Sequence, residues 1–130
     1  MEVVEHLVLP PEVTLAYLAA YLRPGGHLLV TTPNAAWIRN RLALLFGRNP
    51  FETLRTDRRE MGHIREYTRA ELAAAFRTLP MQPILLERTG LYRFRQAKDN
   101  LLSACVDRLC PAMARTLVAL YRKPDAESEG

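Results

Sequence analysis

The sequence has few cysteines and no long apolar run, and each shortage argues against a class of protein. Cys105 and Cys110 are the two cysteines among 130 residues. Their number and spacing favour free thiols in a reducing cytoplasm over a disulfide or a zinc site. The apolar stretches are far shorter than the ~20 residues that a membrane-spanning helix needs. No basic and apolar leader follows Met1, so we expect no signal peptide, no membrane partner and a cytoplasmic protein.

The charge excess is small and basic. Eighteen lysines and arginines against 14 acidic residues give a net charge of +4, and much of the excess lies between Arg39 and Arg69. A basic rim for an anionic ligand and a solvated arginine-rich surface both fit this pattern. Because aromatic residues are not interleaved with the arginines, the solvated surface is favoured and we expect no nucleic-acid partner.

The order of predicted elements is that of an α/β domain. Pro24-Gly25-Gly26 ends a helix that begins near Pro10-Pro11 and turns the chain into an apolar strand over residues 27–32. Pro33-Asn34 closes that strand, and ligands of open α/β sheets bind beyond the carboxyl ends of the strands. We therefore expect the functional site to lie near Asn34. Further strands are predicted at Ile84–Glu87 and Arg115–Tyr121, and further helices at residues 35–46, 68–79 and 100–110, with a capping box at Thr68-Arg69-Ala70-Glu71.

Four short motifs stand out along this chain. They are Glu2-Val3-Val4-Glu5-His6-Leu7, Leu22-Arg23-Pro24-Gly25-Gly26, Thr31-Thr32-Pro33-Asn34 and Gly62-His63-Ile64-Arg65-Glu66-Tyr67-Thr68. Together they resemble the C-terminal half of a class I S-adenosylmethionine-dependent methyltransferase. The resemblance covers roughly residues 1–124, which we expect to form the C-terminal part of a methyltransferase domain, followed by a polar tail at residues 125–130.

The resemblance implies a partial Rossmann-like sheet with flanking helices. The family fold is a seven-stranded, mostly parallel sheet whose last strand is antiparallel. On this pattern the chain begins at the end of strand four and continues with strand five at residues 27–32. Strand six is then Ile84–Glu87, and the antiparallel strand seven is Arg115–Tyr121.

The sequence also departs from the family. The glycine-rich loop that cradles the cofactor after the first strand is absent, as is the acidic residue that ends the second strand. Gly25-Gly26 is a helix-to-strand turn and is not a substitute for that loop. The resemblance implies S-adenosylmethionine as cofactor, with Glu2 in its vicinity. We also expect the chain to be a fragment that self-associates or pairs with a missing N-terminal half.

Two carboxylates and two imidazoles form the candidate site for chemistry. If the first residues turn into a helix, Glu2 shares a face with Glu5 or with His6 at three-and-four spacing, and His63 reaches the same edge of the sheet from a long loop. One reading makes Glu2, Glu5, His6 and His63 ligands of a divalent cation such as magnesium, manganese or zinc. A second makes His6 or Glu5 a catalytic base. A third gives these groups only structural hydrogen bonds.

The candidates for substrate binding are Asn34, Tyr67 and, in a second role, His63. Asn34 either holds the substrate or caps its own turn, and Tyr67 either lines the pocket or covers the core. The resemblance implies methyl transfer to a small-molecule acceptor. The alternatives are a non-catalytic remnant and a metal-assisted RNA 2′-O-methyltransferase. The RNA alternative arises because the candidate metal set resembles that of small-RNA 2′-O-methyltransferases. The same set also resembles that of ubiquinone-pathway O-methyltransferases.

Overall fold

A computed structural model describes residues 4–51, 62–89 and 113–126 of the chain. Glu2, both cysteines and the helix expected at residues 100–110 lie outside these ranges. In chain order the described elements are a 3-10 turn at Val4–His6, α1 at Pro11–Ala20, β1 at His27–Pro33, α2 at Ile38–Leu45, α3 at Arg69–Arg77, β2 at Gln82–Thr89 and β3 at Thr116–Arg122. This mixture of helices and strands confirms the expected α/β class.

The last strand in the sequence is the middle strand of the sheet. The order is β1-β3-β2, and β3 runs antiparallel to both neighbours. Thus β1 and β2 run in the same direction. Ala119 of β3 pairs with Val30 of β1 on one side and with Leu86 of β2 on the other. The antiparallel final strand expected from the sequence is therefore confirmed.

The end of β3 also holds the turn between α1 and β1. Lys123 Nζ donates to the carbonyl oxygens of Ala19 and Leu22 at 3.0 and 2.7 Å, which supplies partners to carbonyls that a helix end leaves unsatisfied. Gly25 has a φ of 72°, a conformation that suits glycine, and its N–H donates to Lys123 O at 3.1 Å. One lysine therefore ties α1 to the sheet.

The expected capping box begins α3. Thr68 Oγ1 accepts from the backbone N–H of Glu71 at 3.3 Å, and the Glu71 carboxylate accepts from Thr68 N at 2.8 Å. Burial alone raises the pKa of Glu71, but the hydrogen bonds from Thr68 and from Arg65 outweigh it and hold that pKa below its usual value. The carboxylate is therefore charged at neutral pH, and it interacts favourably with the positive, N-terminal end of the helix dipole.

The core lies between the sheet and the helices α1 and α3. Phe76 of α3 stacks on Tyr121 of β3 with ring centroids 3.7 Å apart and an angle of 2°. Leu15 of α1 is fully buried. The apolar stripe expected on α3 is confirmed, and the buried cluster comprises Val4, Leu15, Val30, Tyr67, Leu72, Ala75, Phe76, Leu117, Ala119 and Tyr121.

Helix α2 differs from its expected burial pattern. The three-and-four spacing of Ile38, Leu42 and Leu45 predicts an apolar core face, yet Leu45 is 77 % exposed and Phe46 is 75 % exposed. The buried residue of this helix is Asn40. The side of the helix that carries Asn40 therefore faces the protein, while Leu42, Leu44 and Leu45 are exposed. None of the helices in the described ranges is long and apolar enough to cross a membrane.

Replacing Thr68 tests the contribution of the capping box to stability. Thr68→Ala removes the acceptor for Glu71 N and is expected to lower the free energy of unfolding by about 1 kcal/mol, measured by urea denaturation. Thr68→Ser keeps a hydroxyl at the same place and is the matched control. A stability loss in Thr68→Ser equal to that in Thr68→Ala would contradict the assignment.

Candidate functional site

The 3-10 turn at Val4–His6 is joined directly to the segment that precedes α3. The backbone N–H groups of Ile64 and Arg65 donate to Glu5 O at 2.7 and 3.3 Å. Val4 beside them is 2 % exposed and belongs to the core cluster. Because the backbone fixes Glu5 against Ile64, the side chains of His6 and His63 come from distant parts of the sequence to one place.

Three of the four side chains expected to act together meet in the structure. Glu5, His6 and His63 each offer one ligand atom, and these atoms lie within 4.8 Å of one another. His6 Nε2 is 4.0 Å from Glu5 Oε1, and the two imidazole rings are 5.0 Å apart between centroids at an angle of 64°. Glu2, the fourth member of the set, lies outside the described residues.

The three side chains differ sharply in their access to solvent. The side chain of Glu5 is fully buried, whereas that of His6 retains 34 % of its exposure and that of His63 retains 24 %. A buried carboxylate is costly unless it is paired with a positive charge or a metal ion. The cluster is thus a buried acid with two solvent-accessible imidazoles at its mouth.

His63 is also held from its other side. Its Nδ1 lies 3.3 Å from Glu66 Oε1, and Glu66 Oε2 accepts from Asn40 Nδ2 at 3.1 Å. The same Asn40 amide donates to Ala35 O at 3.3 Å, which fixes it to the turn after β1. A chain of polar contacts therefore runs from α2 through Glu66 to the cluster.

Asn34 lies at the carboxyl end of β1 and is 1 % exposed. Its Nδ2 donates to Ala114 O at 2.7 Å, and its Oδ1 accepts from the N–H of Ala36 at 3.0 Å. Both polar ends of the side chain are thus engaged in holding the turn and the start of β3. These contacts match the turn-capping alternative considered for Asn34, and its binding of substrate stays a prediction.

Tyr67 forms part of both the core and a cavity wall. It is 2 % exposed, and a cavity of about 360 Å³ borders it together with Glu12, Arg65 and Glu71. Burial raises the pKa of Tyr67, although the Arg65 guanidinium, 5.3 Å from the centre of its ring, opposes the shift. The phenol is therefore neutral at physiological pH, and its contact with substrate stays a prediction.

The donor set suits a divalent cation. One carboxylate and two imidazoles are ligand types that manganese and zinc accept, and imidazole favours the later transition metals. The same groups also suit proton transfer, because a neutral imidazole beside a carboxylate can take a proton and the carboxylate stabilises the cation formed. The geometry is compatible with both chemistries.

Glu66 and Asn40 were not among the residues expected at the site. Glu66 stands three positions after His63, and that spacing beside a histidine is a usable signal. Asn40 was not expected there because the helical pattern assigns the buried face of α2 to its apolar residues.

Comparisons with known proteins agree with this architecture. The strands β1 and β2 run in the same direction and each pairs antiparallel with β3 between them, which is consistent with part of a methyltransferase fold. A sequence model of the methyltransferase domain matches residues 1–79, and the chain belongs to that family. The matched range includes Glu5, His6 and His63. A search of curated proteins gave no match to the chain.

The raised pKa of Tyr67 predicts a loss of stability in alkali. Because the folded-state pKa exceeds the unfolded value of about 10, the stabilising contribution is complete below pH ~10 and is lost as pH rises above it. Tyr67→Phe removes this ionisation, so its free energy of unfolding should fall less steeply between about pH 9.5 and 11 than that of the wild type. Urea denaturation across this range measures the slope.

The exposed Tyr17 of α1 provides the control, since it is 63 % exposed. Tyr17→Phe should leave the alkaline slope as it is in the wild type. Tyr121 also has a pKa raised by burial, so Tyr67→Phe should reduce the slope without abolishing it. An unchanged slope in Tyr67→Phe would refute the assignment.

Proposed function

We propose that this chain takes part in S-adenosylmethionine-dependent methyl transfer to a small-molecule acceptor, with Glu5, His6 and His63 on the acceptor side. The observation that carries the proposal is the convergence of a buried carboxylate and two imidazoles within 4.8 Å. Membership of the methyltransferase domain family supports methyl transfer as the reaction. The cluster supports an acceptor whose proton must be removed.

Methyl transfer of this kind does not require a covalent intermediate on the protein. S-adenosylmethionine supplies an electrophilic methyl group, so the protein has to align the acceptor and remove its proton. The described residues hold no glycine-rich loop, and the cofactor enters the proposal through the family alone. The part assigned to these residues is therefore acceptor chemistry.

Proton removal falls to the imidazoles. The His6 side chain is partly exposed and its Nε2 is 4.0 Å from the fully buried Glu5 carboxylate. An acceptor hydroxyl that bonds to His6 can pass its proton to the ring, and the nearby negative charge of Glu5 stabilises the resulting imidazolium. His63 lies against the same ring and narrows the directions from which an acceptor can approach.

We further propose that the cluster binds a divalent cation. Glu5, His6 and His63 would hold it, and Glu2 is a fourth ligand implied by resemblance. Such a cation would lower the pKa of an acceptor hydroxyl and help to orient it. The mixed oxygen and nitrogen donors favour manganese or zinc over magnesium.

Three associated expectations belong to the same proposal. The small charge excess, without aromatic residues interleaved among the arginines, supports a small molecule, and not a nucleic acid, as partner. The number and spacing of the cysteines, which favour free thiols, support a cytoplasmic setting. Self-association is a further expectation, whereas pairing with a further part of a methyltransferase domain would also supply a cofactor loop.

Metal binding is tested by calorimetric titration of the chain with Mn²⁺. Glu5→Gln and His63→Gln each remove one proposed ligand and should weaken binding by more than about tenfold, since even the loss of a ligand's hydrogen-bond partner costs that much. His27→Gln is the matched control, because His27 is the remaining histidine and lies exposed at the opposite end of β1. Equal affinity in all variants, or no binding by the wild type, would contradict the proposed metal site. His6 would then remain the proposed catalytic base.

Cofactor use is tested separately by titrating S-adenosylhomocysteine into the chain with and without Mn²⁺. Saturable binding at micromolar concentration supports transfer from S-adenosylmethionine by this chain. No heat in either condition contradicts that proposal and favours the alternative of a non-catalytic remnant.

A further inference from the structure

We propose that Glu66 is a positioning residue that fixes the tautomer of His63, and that Asn40 holds Glu66 for this purpose. The proposal gives a role to two residues outside the Glu5, His6 and His63 cluster. Its meaning for chemistry depends on the function proposed above, whereas its structural content can be tested without any cofactor or metal.

The first step concerns the proton on His63. Glu66 Oε1 is 3.3 Å from His63 Nδ1. An ionised carboxylate can only accept hydrogen bonds, so the proton of this contact belongs to Nδ1. A neutral ring with its proton on Nδ1 carries its lone pair on Nε2. Glu66 thereby selects the tautomer in which Nε2 is available to a metal ion or to a proton.

The second step concerns what keeps Glu66 in place. The side chain of Glu66 is 13 % exposed, and its second oxygen accepts from Asn40 Nδ2 at 3.1 Å. Asn40 is 7 % exposed, and its amide also donates to Ala35 O. The carboxylate is thus held between one donor on α2 and one on His63, so each oxygen has its own partner.

The third step is the attachment of Glu66 to the sheet. The next residue, Tyr67, forms an isolated parallel bridge with Asn34, and the Ala35 N–H donates to Tyr67 O at 3.0 Å. The backbone on one side of Glu66 is therefore tied to the carboxyl end of β1. Because both its backbone and its carboxylate are fixed, Glu66 can hold the imidazole of His63 in one orientation.

The arrangement also accounts for the inverted burial of α2. Asn40 is the buried residue of that helix although the helix carries Leu42, Leu44 and Leu45. Turning the helix to bury those leucines would carry Asn40 away from Glu66. The contact between Asn40 and Glu66 is thus a reason for the orientation of α2, and it connects the helix to the candidate site. In metal sites, a carboxylate that orients a histidine in this way strengthens binding by the ring.

The proton position can be read directly by ¹⁵N nuclear magnetic resonance of the imidazole nitrogens in the full chain, at a pH where the rings are neutral. In the wild type we expect His63 to carry its proton on Nδ1. In Glu66→Ala we expect the Nε2-protonated form to dominate. Asn40→Ala should give a mixture of the two, since Glu66 is then held by His63 alone.

Glu66→Gln guards against a variant that does not fold, because it keeps the size of the side chain. One of the two acceptor oxygens becomes an NH2 donor, so Asn40 and His63 no longer each have an oxygen of their own, and we expect a weaker preference for Nδ1. Glu87→Ala, at an exposed carboxylate on β2, is the matched control and should leave His63 unchanged. Predominant protonation on Nε2 in the wild type would overturn the proposal whatever the variants do.

A second readout separates this proposal from the function proposed above. If the chain binds Mn²⁺, Glu66→Ala should weaken binding by about ten- to a hundredfold although no ligand is removed. If the wild type shows the Nδ1 proton but does not bind Mn²⁺, the positioning role stands and the metal is refuted. If Mn²⁺ binds with equal affinity to wild type and Glu66→Ala, the role in metal binding is refuted.

Discussion

The arrangement of the candidate site depends on the cross-link that Asn34 makes between three separated segments. At the end of β1, its backbone N–H donates to Arg115 O at 2.7 Å, and its side-chain amide donates to Ala114 O. Its bridge to Tyr67 brings in the segment that precedes α3. Because this segment also bonds to the backbone of Glu5, one fully engaged asparagine fixes the distance between the cluster and the sheet.

The polar residues around this cross-link are ordered from buried to accessible. Glu5 and Asn34 are almost fully enclosed, whereas His6 and His63 retain part of their exposure. This difference in exposure favours ligand binding at the imidazoles. The accessible rings can contact a ligand, and the buried carboxyl group beside them influences the electrostatic potential there. Burial also keeps the acid away from bulk water, where its effect on a neighbouring charge would be weaker.

The features that could be predicted from the sequence are local ones or carry a recognisable motif. The capping box at Thr68 and Glu71 needs four adjacent residues, and Pro24-Gly25-Gly26 marks the start of β1 by its own conformational preferences. The antiparallel β3 followed from resemblance to a methyltransferase fold. The meeting of Glu5, His6 and His63 was expected because the carboxyl edge of an α/β sheet gathers loops from distant positions.

The features that could not be predicted depend on contacts between side chains far apart in sequence. The apolar period of α2 could not reveal that Asn40 has a buried partner, because hydrogen bonding to Glu66 decides the orientation of that helix. The engagement of both ends of the Asn34 side chain likewise depends on Ala114, which is 80 positions away. Periodicity carries information on apolar burial but not on such polar pairings.

The central claim is that Glu5, His6 and His63 form one site, and paramagnetic broadening by Mn²⁺ tests it most directly. Substoichiometric Mn²⁺ added to the ¹⁵N-labelled chain broadens amide signals close to the bound ion. The account predicts that the signals of Glu5, His6 and residues 62–66 vanish first, while that of His27 persists. Broadening centred on His27, or spread evenly over the exposed acidic residues, would contradict it.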